Sequence, residues 1–354
     1  MSVPPELSGE RIRTVAGKIG YDGQYYHYIA HDPFRQKGLE KYIDAPRLRY
    51  RRILIPLTAY LLAAGQDRFV DAAFVGVILL SIFLGTYWLS GYASDCGWHP
   101  AWGLGFLLTP AAIISIDRLI VDGALACLTI GFALYARRGP PWKLYLVLLC
   151  ATVARETGAL LLGGYCVYLL WRRLHRKAFL FGTAAVPALV WFCYLQTRTQ
   201  GDLIRPFMHT ASGFLPFVHS MSPHLRIGFP RYRDLPGFVA EALTALDYLA
   251  LLGLVLAVVL AVRFVLERSR GPQEFAGLLY AFMIVWMAFV FTQHDAYAFP
   301  RVASPLLVLA ALHGLSPGSR AGLLPLALVV PRVAAQLGQQ LLGVLRGIFS
   351  AGGG

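Results

Sequence analysis

Long apolar runs, separated by short polar or basic stretches, fill the chain from about residue 53 to residue 345. Several of these runs are shorter than the roughly 20 residues that cross a bilayer as one helix. Pro and Gly interrupt others, as in WGLGFLLTPAAIIS, which is typical of half-helices or re-entrant pieces. The pattern predicts an all-α, polytopic transmembrane bundle of about nine to eleven membrane segments. The runs lie at about 53–65, 69–92, 98–116, 119–136, 142–154, 158–171, 178–195, 243–266, 275–292, 302–313 and 321–345.

Composition supports a membrane protein. Hydrophobic residues make up 57% of the 354 positions, charged residues 14%, and the mean hydropathy is +0.56, outside the range of an ordinary soluble domain. The net charge of +13 sits beside long apolar segments, which favours anionic lipid headgroups and gives no reason to expect a nucleic-acid partner. The five cysteines lack metal-ligand spacing and are expected to be small core residues.

Three basic loops set the expected orientation in the inner (plasma) membrane. RRGPPWK (137–143), WRRLHRK (171–177) and RFVLERSR (263–270) should face the cytoplasm. The opposite face then receives the polar stretches, and also the opening segment if 98–116 enters the membrane without crossing it. We therefore expect an extracytoplasmic first loop with short helices, a transmembrane domain that includes an outer loop, and a C-terminal membrane segment with a tail, at 1–52, 53–313 (outer loop 197–241) and 314–354.

The opening segment presents a conflict. Its ten Lys and Arg would favour the cytoplasm by the same rule. Either a helix upstream of residue 1 drives translocation, or the segment is cytoplasmic. We expect the first, because the other polar groups collect on one side.

The few charged residues among the apolar runs define a candidate site. A charge within the membrane costs about 2.5 to 3.5 kcal/mol on insertion scales, so those present are usually paired or functional. Ion pairs at helix ends, Asp117 with Arg118 and Arg155 with Glu156, are the simpler interpretation. Their common face instead favours a phosphate or pyrophosphate ester, because guanidinium binds phosphate oxygens in a bidentate fork. The residues concerned are Asp117, Arg118, Asp122, Arg155, Glu156, His294, Asp295 and Arg301.

A polar and aromatic stretch, GYDGQYYHYIAHDPF (20–34), precedes the apolar runs. Asp22 should lie in a turn, and the residues after it should form one helix with Tyr25, Tyr28 and Asp32 on one face. Tyrosines can hold sugars, although they are also common at membrane interfaces. His27 and His31, one turn apart, could bind a metal, but the sequence places no third ligand and a solvated pair is the simpler interpretation; a divalent metal is possible and not required. Nucleophile signatures such as GxSxG are absent, which leaves a carboxylate as a base.

These stretches resemble a known family. GYDGQYYHYIAHDPF, followed by YRRILIPLTAYLLA, SIDRLIVDGALACLTIGFALYARR, ARETGALLL and RVASPLLVLAAL, resembles successive blocks of the bacterial membrane glycosyltransferases of the GT-C superfamily, over roughly residues 20–313. The resemblance implies transfer of a sugar from a polyprenyl-phosphate carrier to an acceptor hydroxyl, on a lipid or glycan, at the extracytoplasmic face. The family pattern also has a helix ahead of the first loop, so we expect one upstream.

The resemblance also implies roles for particular residues. Asp22 matches the catalytic acid of the first outer loop, with Asp32 as a second acid of the same block. The second active-site carboxylate matches Asp117 or Asp122. The expected substrate-binding residues are Tyr25, His27, Tyr28, Arg52, Asp117, Arg118, Asp122, Arg155, Glu156, His294 and Arg301.

Two other classes of function remain open. A transporter or flippase of a lipid-linked sugar would also need arginines for a lipid phosphate, but would place charges along a crossing path. A non-catalytic, lipid-binding membrane subunit is the third possibility. The location of the charges distinguishes a transferase from a flippase.

Overall fold

The computed structural model describes residue 7 and residues 22–198, 236–266, 270–286, 298–316 and 319–351. Within these ranges every regular element is helical and none is a strand, which confirms the all-α prediction. The described ranges contain fourteen α-helices, named here α1 Gly23–His31, α2 Pro46–Arg51, α3 Leu54–Leu62, α4 Asp67–Asp95, α5 Pro110–Arg118, α6 Asp122–Arg138, α7 Pro141–Ala154, α8 Ala159–Trp171, α9 His175–Gly182, α10 Val186–Arg198, α11 Gly237–Leu266, α12 Pro272–Trp286, α13 Ala298–Leu315 and α14 Leu324–Ala351.

Three helices are long and apolar enough to cross a membrane: α4, the continuous pair α9 and α10, and α11. A fourth candidate is the 3-10 helix Pro100–Leu108 followed by α5, a pair bent by 62°. In the described ranges α7 and most of α13 are apolar but shorter. Within the residues that the structure describes, three or four helices could thus span a membrane by length and composition, whereas nine to eleven segments were expected from the apolar runs of the whole chain.

Successive long helices run in alternate directions and give the bundle two ends. α4 begins at Asp67, whose Oδ1 lies 2.9 Å from His31 Nδ1, and it ends at Asp95, which pairs with Arg138 at 2.6 Å. α13 runs the same way, from Arg301 to Leu315. We call the end with Asp67 and Arg301 the Asp22 end of the bundle, and the end with Asp95 and Leu315 the Arg138 end.

The basic loops collect at the Arg138 end. Trp171, which begins the second basic loop, lies against Phe275 with 5.7 Å between ring centroids. Two residues before Phe275, Gln273 accepts a hydrogen bond of 3.1 Å from the hydroxyl of Tyr92, one turn before the end of α4. The loops at 137–143 and 171–177 therefore lie together, far from Asp22.

The segment between α4 and α6 crosses the bundle, so the expectation that 98–116 enters without crossing is wrong. Its start is at the Arg138 end, where Trp98 Nε1 donates to the carbonyl of Leu315 at 2.8 Å. Its last residue, Arg118, lies against Gly23 at the Asp22 end. The short helix α3, about 14 Å long from its nine residues, does not cross. The structure thus has a crossing at 98–118 that was not expected and lacks the one expected at 53–65. The two differences cancel, so residues 22–52 still lie at the same end as Arg301.

The bend in this crossing has a local cause. Thr109 is extended (φ −69°, ψ 136°) because the ring of Pro110 disfavours helical geometry at the preceding residue, and Pro110 then starts α5. The bend frees backbone groups, and the Oγ of Ser304 on α13 accepts a hydrogen bond from the amide of Ala111 at 3.0 Å. Gly103 lets the first half lie directly on α4, since a Cβ there would be 2.6 Å from the carbonyl oxygen of Thr86.

The central helix of the bundle is α6, in which every residue from Asp122 to Leu134 is buried. Small residues make this packing possible: a Cβ on Gly131 would lie 2.7 Å from the ring of Trp88. Burial along α6 carries Asp122, at its N-terminus, into the protein interior. The C-terminal helix α14 also packs on the bundle, through a buried ion pair of 2.7 Å between Arg332 and Asp247 of α11.

We expect substitution of Gly164→Ala to destabilise the bundle by about 1–3 kcal/mol, because overpacking a close helix contact has this cost. A Cβ at Gly164 would lie 2.5 Å from the Cα of Ala276 and 2.6 Å from its backbone nitrogen. The matched control is Gly163→Ala, where the nearest atom is the flexible Cδ1 of Leu279 at 3.4 Å. Thermal melting of purified protein in detergent should show a lower Tm for Gly164→Ala than for Gly163→Ala, and equal Tm values would contradict the helix contact.

Candidate functional site

Asp22 begins α1 and accepts hydrogen bonds from two arginines. Arg49 Nη2, from α2, donates to Oδ1 at 2.8 Å, and Arg301 Nη2, from α13, donates to Oδ2 at 2.7 Å. Asp22 and Arg301 are 279 residues apart in sequence. Each oxygen of this carboxylate therefore faces its own guanidinium group, supplied by a different part of the chain.

Asp122 continues the network into the interior. It is buried at the N-terminus of α6, where the helix dipole favours a negative charge. Its Oδ1 forms an ion pair with Arg155 Nη1, and its Oδ2 lies 3.9 Å from Arg301 Nη1. Arg301 thus lies between two carboxylates, Asp22 and Asp122.

Glu156 and Arg52 form a bidentate pair. Arg52 Nε donates to Oε2 at 3.0 Å and Nη2 donates to Oε1 at 2.5 Å, the geometry that guanidinium and carboxylate groups favour. Arg52 Nη1 also donates to the hydroxyl of Tyr26 at 2.8 Å. Arg155 Nε lies 3.9 Å from Glu156 Oε1. Since Arg155 also pairs with Asp122, it connects the Arg52–Glu156 pair to Asp122.

Asp44 completes the network by accepting from Arg49 Nε at 3.1 Å and from Nη2 at 3.0 Å. The resulting set of four arginines and four carboxylates is called here the arginine–carboxylate cluster. Its charges balance, which is how charges removed from water become tolerable. Its members are Asp22, Asp44, Arg49, Arg52, Asp122, Arg155, Glu156 and Arg301.

A close backbone contact positions Asp22. A Cβ at Gly23, the next residue, would overlap the carbonyl oxygen of Arg118, so only glycine allows α1 to begin here. The chain turns at Leu119, which has a positive φ of 51°, and then enters α6. The start of α1 and the start of α6 are thereby held together, and Asp22 and Asp122 reach the same arginine.

The surrounding charges determine protonation in the cluster. Burial raises the pKa of Asp22, but the charges of Arg301 and Arg49 and their hydrogen bonds lower it more, to about 2. For Glu156, burial raises the pKa and Arg52 lowers it further than burial raises it. Both carboxylates are therefore ionised at neutral pH, and Asp22 is a weak proton acceptor while both arginines are bound to it.

The structure brings together six of the residues expected at the site: Asp22, Arg52, Asp122, Arg155, Glu156 and Arg301. Asp117 and Arg118 lie at the same end but pair with each other at 3.0 Å, as the simpler interpretation predicted. His294 lies outside the described residues, as does Asp295.

Asp32 does not join the cluster. Its Oδ1 accepts a hydrogen bond of 2.6 Å from the backbone amide of Gln36. Its Oδ2 accepts from the backbone amides of Lys37 at 2.9 Å and Leu39 at 3.4 Å. Asp32 is buried and shapes the loop after α1. This geometry does not support a role as a second catalytic acid.

The remaining expected residues have the following surroundings. Arg155 and Glu156, which the simpler interpretation paired, do form an ion pair, but a long one of 3.9 Å. Their principal partners are Asp122 and Arg52, because the extended backbone at Arg155 (φ −161°, ψ 148°) separates the two side chains. The tyrosines expected to hold a sugar are buried, with Tyr25 5% and Tyr28 8% exposed. Tyr25 lies in the core, its ring 5.2 Å from the guanidinium of Arg49.

The two histidines of α1 lie together, away from the arginines. Their ring centroids are 4.8 Å apart, and both face the start of α4. His27 Nε2 lies 2.5 Å from Asp71 Oδ1, and His31 Nδ1 lies 2.9 Å from Asp67 Oδ1. These acidic partners were not predicted.

Sequence reasoning missed Arg49, Asp44 and Tyr26 as well. In the stretch APRLRYRR only Arg52 was expected at the site, although Arg49 lies three residues before it and shares one face of a helical turn. For the acids of α4 the available signal was the four-residue spacing of Asp67 and Asp71, which matches that of His27 and His31.

No family model, no curated protein and no solved structure matches this chain. The assignment of function therefore depends on the chemistry of the residues described above.

We expect Asp22→Asn to remove a pH-dependent part of the stability. Because the pKa of Asp22 is lower in the folded protein (about 2) than its ordinary value of 3.8, its ionised form stabilises the fold above pH 4. This contribution, about 2 kcal/mol, is lost as pH falls from 4 to 2. Thermal melts from pH 7 to pH 2 should show the Tm advantage of the wild type over Asp22→Asn shrinking below pH 4. A constant difference would contradict the ion pairs.

Proposed function

We propose that this protein is an integral membrane glycosyltransferase of the GT-C type, located in the inner membrane as a multi-pass protein. It would transfer a sugar from a polyprenyl-phosphate carrier to an acceptor hydroxyl at the extracytoplasmic face. One observation carries the proposal: Asp22 is held between Arg49 and Arg301, and Arg301 also approaches Asp122. A carboxylate and several cations from separate segments thus meet at one end of an apolar helical bundle.

The carrier phosphate is the ligand that this cluster suits best. Guanidinium binds phosphate oxygens in a fork and remains charged at any physiological pH. Arg301 and Arg49 each bind Asp22 through Nη2, so a phosphate that takes these two groups would displace the carboxylate. Substrate binding would then separate Asp22 from its counter-charges and raise its pKa from about 2 toward the ordinary value.

This exchange would activate Asp22 only when the carrier is bound. As a general base, Asp22 would accept the proton of the acceptor hydroxyl while the acceptor oxygen forms a bond to the anomeric carbon of the sugar. The bond between that carbon and the phosphate oxygen breaks, and its electron pair leaves with the carrier phosphate. Arg301 and Arg49 would stabilise the charge on this leaving group.

The position of the charges favours a transferase over a flippase. A flippase needs polar groups along a path through the membrane, whereas the arginine–carboxylate cluster occupies one end. Outside the cluster, ion pairs also join Glu274 with His313, toward the Arg138 end, and Arg332 with Asp247. The Arg332–Asp247 pair is buried, with the residues 2% and 4% exposed. This pair fastens α14 to α11 and does not line an open path.

Asp22→Asn keeps the shape of the side chain but removes the base, so we expect kcat for sugar transfer to fall by about 100-fold or more with carrier binding retained. The measurement is transfer from a radiolabelled polyprenyl-phosphate sugar by purified protein in lipid vesicles. Arg138→Ala is the matched control, since it breaks an ion pair with Asp95 at the opposite end. Full activity of Asp22→Asn would remove the catalytic assignment.

Arg301→Ala should instead weaken carrier binding. Loss of a charged hydrogen bond of about 1.5–3 kcal/mol raises the KM for the carrier roughly 10- to 150-fold. Arg301→Lys retains the charge without the forked geometry, so its KM for the carrier should lie between those of the wild type and Arg301→Ala. If Arg301 only stabilises the fold, the Tm of Arg301→Ala will fall while the KM of the surviving protein equals that of the wild type.

Labelling of single cysteines tests the orientation. In a chain whose native cysteines are replaced by alanine, Lys41→Cys should react with a membrane-impermeant thiol reagent on intact cells. Lys177→Cys, at the other end of the bundle, should react only after permeabilisation, because its basic loop is retained in the cytoplasm. Both residues are exposed. The reverse pattern would place the cluster on the cytoplasmic side and contradict the proposed reaction at the outer face.

A further inference from the structure

Two pairs of side chains with four-residue spacing face each other where α1 meets α4. His27 and His31 project from one turn of α1, and Asp67 and Asp71 project from the first turns of α4. Asp71 Oδ1 lies 2.5 Å from His27 Nε2 and 3.2 Å from His31 Nε2. A single carboxylate oxygen thus meets two imidazole nitrogens, and the three ligand atoms lie within 4.8 Å of one another.

Hydrogen-bond requirements point to a cation in this cluster. His31 presents Nδ1 to Asp67 at 2.9 Å and Nε2 to Asp71 at 3.2 Å. A neutral imidazole carries one N–H, so a neutral His31 can satisfy only one of these carboxylates, and the other contact would oppose two lone pairs. The side chain of His31 is 0% exposed, so the imidazole itself has no contact with solvent. A metal ion shared by His31 and Asp71 would remove this repulsion.

We propose that His27, His31 and Asp71 form a binding site for a divalent transition-metal ion of the zinc class. The two Nε2 atoms and a carboxylate oxygen of Asp71 would be the ligands, a donor set that zinc takes with water in the fourth position. The side chain of Asp71 is about half exposed, which opens the site to solvent. This proposal does not depend on the glycosyltransferase assignment.

A carboxylate on the far side of the His31 ring supports a metal site. Histidines that bind metals usually donate their other ring N–H to a carboxylate, which fixes the tautomer and the ring orientation. Asp67 occupies that position for His31 Nδ1 and is itself held by Lys37 Nζ at 2.6 Å. His31 Nε2 then points its lone pair toward the position between His27 and Asp71.

The donor set also selects among metals. Mg²⁺ and Ca²⁺ prefer ligand sets made of oxygen atoms, and two of the three donors here are imidazole nitrogens. Imidazole suits zinc and its neighbours in the first transition row. We therefore expect Zn²⁺ and Co²⁺ to bind, and Mg²⁺ not to compete at millimolar concentration.

A metal ion at this position would crosslink two helices. His27 and Asp71 are 44 residues apart and belong to α1 and α4. α1 begins just after Asp22, so the ion would fix the helix that presents this carboxylate to Arg49 and Arg301. The ion would therefore act on the arginine–carboxylate cluster through the position of α1.

The test uses the full-length protein in detergent, stripped with a chelator and then titrated with Zn²⁺ or Co²⁺. We expect one ion per chain by elemental analysis after dialysis, a rise in Tm with Zn²⁺, and the visible absorption of Co²⁺ in a site of low coordination number. Asp71→Ala and His27→Ala should each lower the Zn²⁺ affinity by more than about tenfold. His175→Ala, an exposed histidine at the other end of the bundle, is the control and should bind zinc as the wild type does.

Asp67→Ala separates a supporting residue from a ligand. It should retain one ion per chain but lower the affinity by about 10- to 100-fold, the usual effect of losing a carboxylate behind a ligating histidine. If either ligand variant fails to fold, His27→Gln, which keeps the bulk of the side chain, replaces it. The proposal is overturned if the folded wild-type protein binds no stoichiometric Zn²⁺, or if Asp71→Ala binds it with unchanged affinity.

Discussion

Arg301 is the residue on which the Asp22 end of the bundle depends. Its guanidinium lies between the carboxylates of Asp22 and Asp122, which come from the first described helix and from the most buried one. Removing charges from water costs several kcal/mol per ion unless each has a partner in good geometry. Without Arg301, Asp22 would keep Arg49 and Asp122 would keep Arg155, but no cation would join the two carboxylates. The shared cation therefore links α13 to the starts of α1 and α6, which the contact of Gly23 with Arg118 already holds together.

Electrical balance shapes what the cluster can bind. Four arginines meet four carboxylates, so the resting cluster has no net charge. An anion that takes the Nη2 groups of Arg49 and Arg301 must replace Asp22, which each of these groups holds by one hydrogen bond. In the proposed function, the apolar surface that a lipid-linked phosphate buries would compensate for the broken pairs, which a small ion could not do.

The helices were predictable from sequence because apolar runs and Pro or Gly breaks act over short distances. Asp22 and Arg301 were placed at one end from the loop charges and a count of crossings, in which two errors, at 53–65 and at 98–116, cancelled. The pairing of Arg49 with Asp22 could not be predicted, since it depends on how α2 packs beside α1. Asp71 escaped notice because its meeting with the histidines depends on the relative register of two helices. The crossing at 98–118 was misjudged because a proline divides it into two runs, each too short to span a membrane.

The bend at Pro110 has a mechanical consequence for the cluster. Ser304, which accepts the hydrogen bond from Ala111, lies only three residues after Arg301 on α13. A sliding or rotation of α13 would break this bond in an environment without water to replace it, at a cost of several kcal/mol. The break in one helix thus acts as a stop for another. Arg301 is held at a fixed height against its two carboxylates by a contact deep inside the bundle.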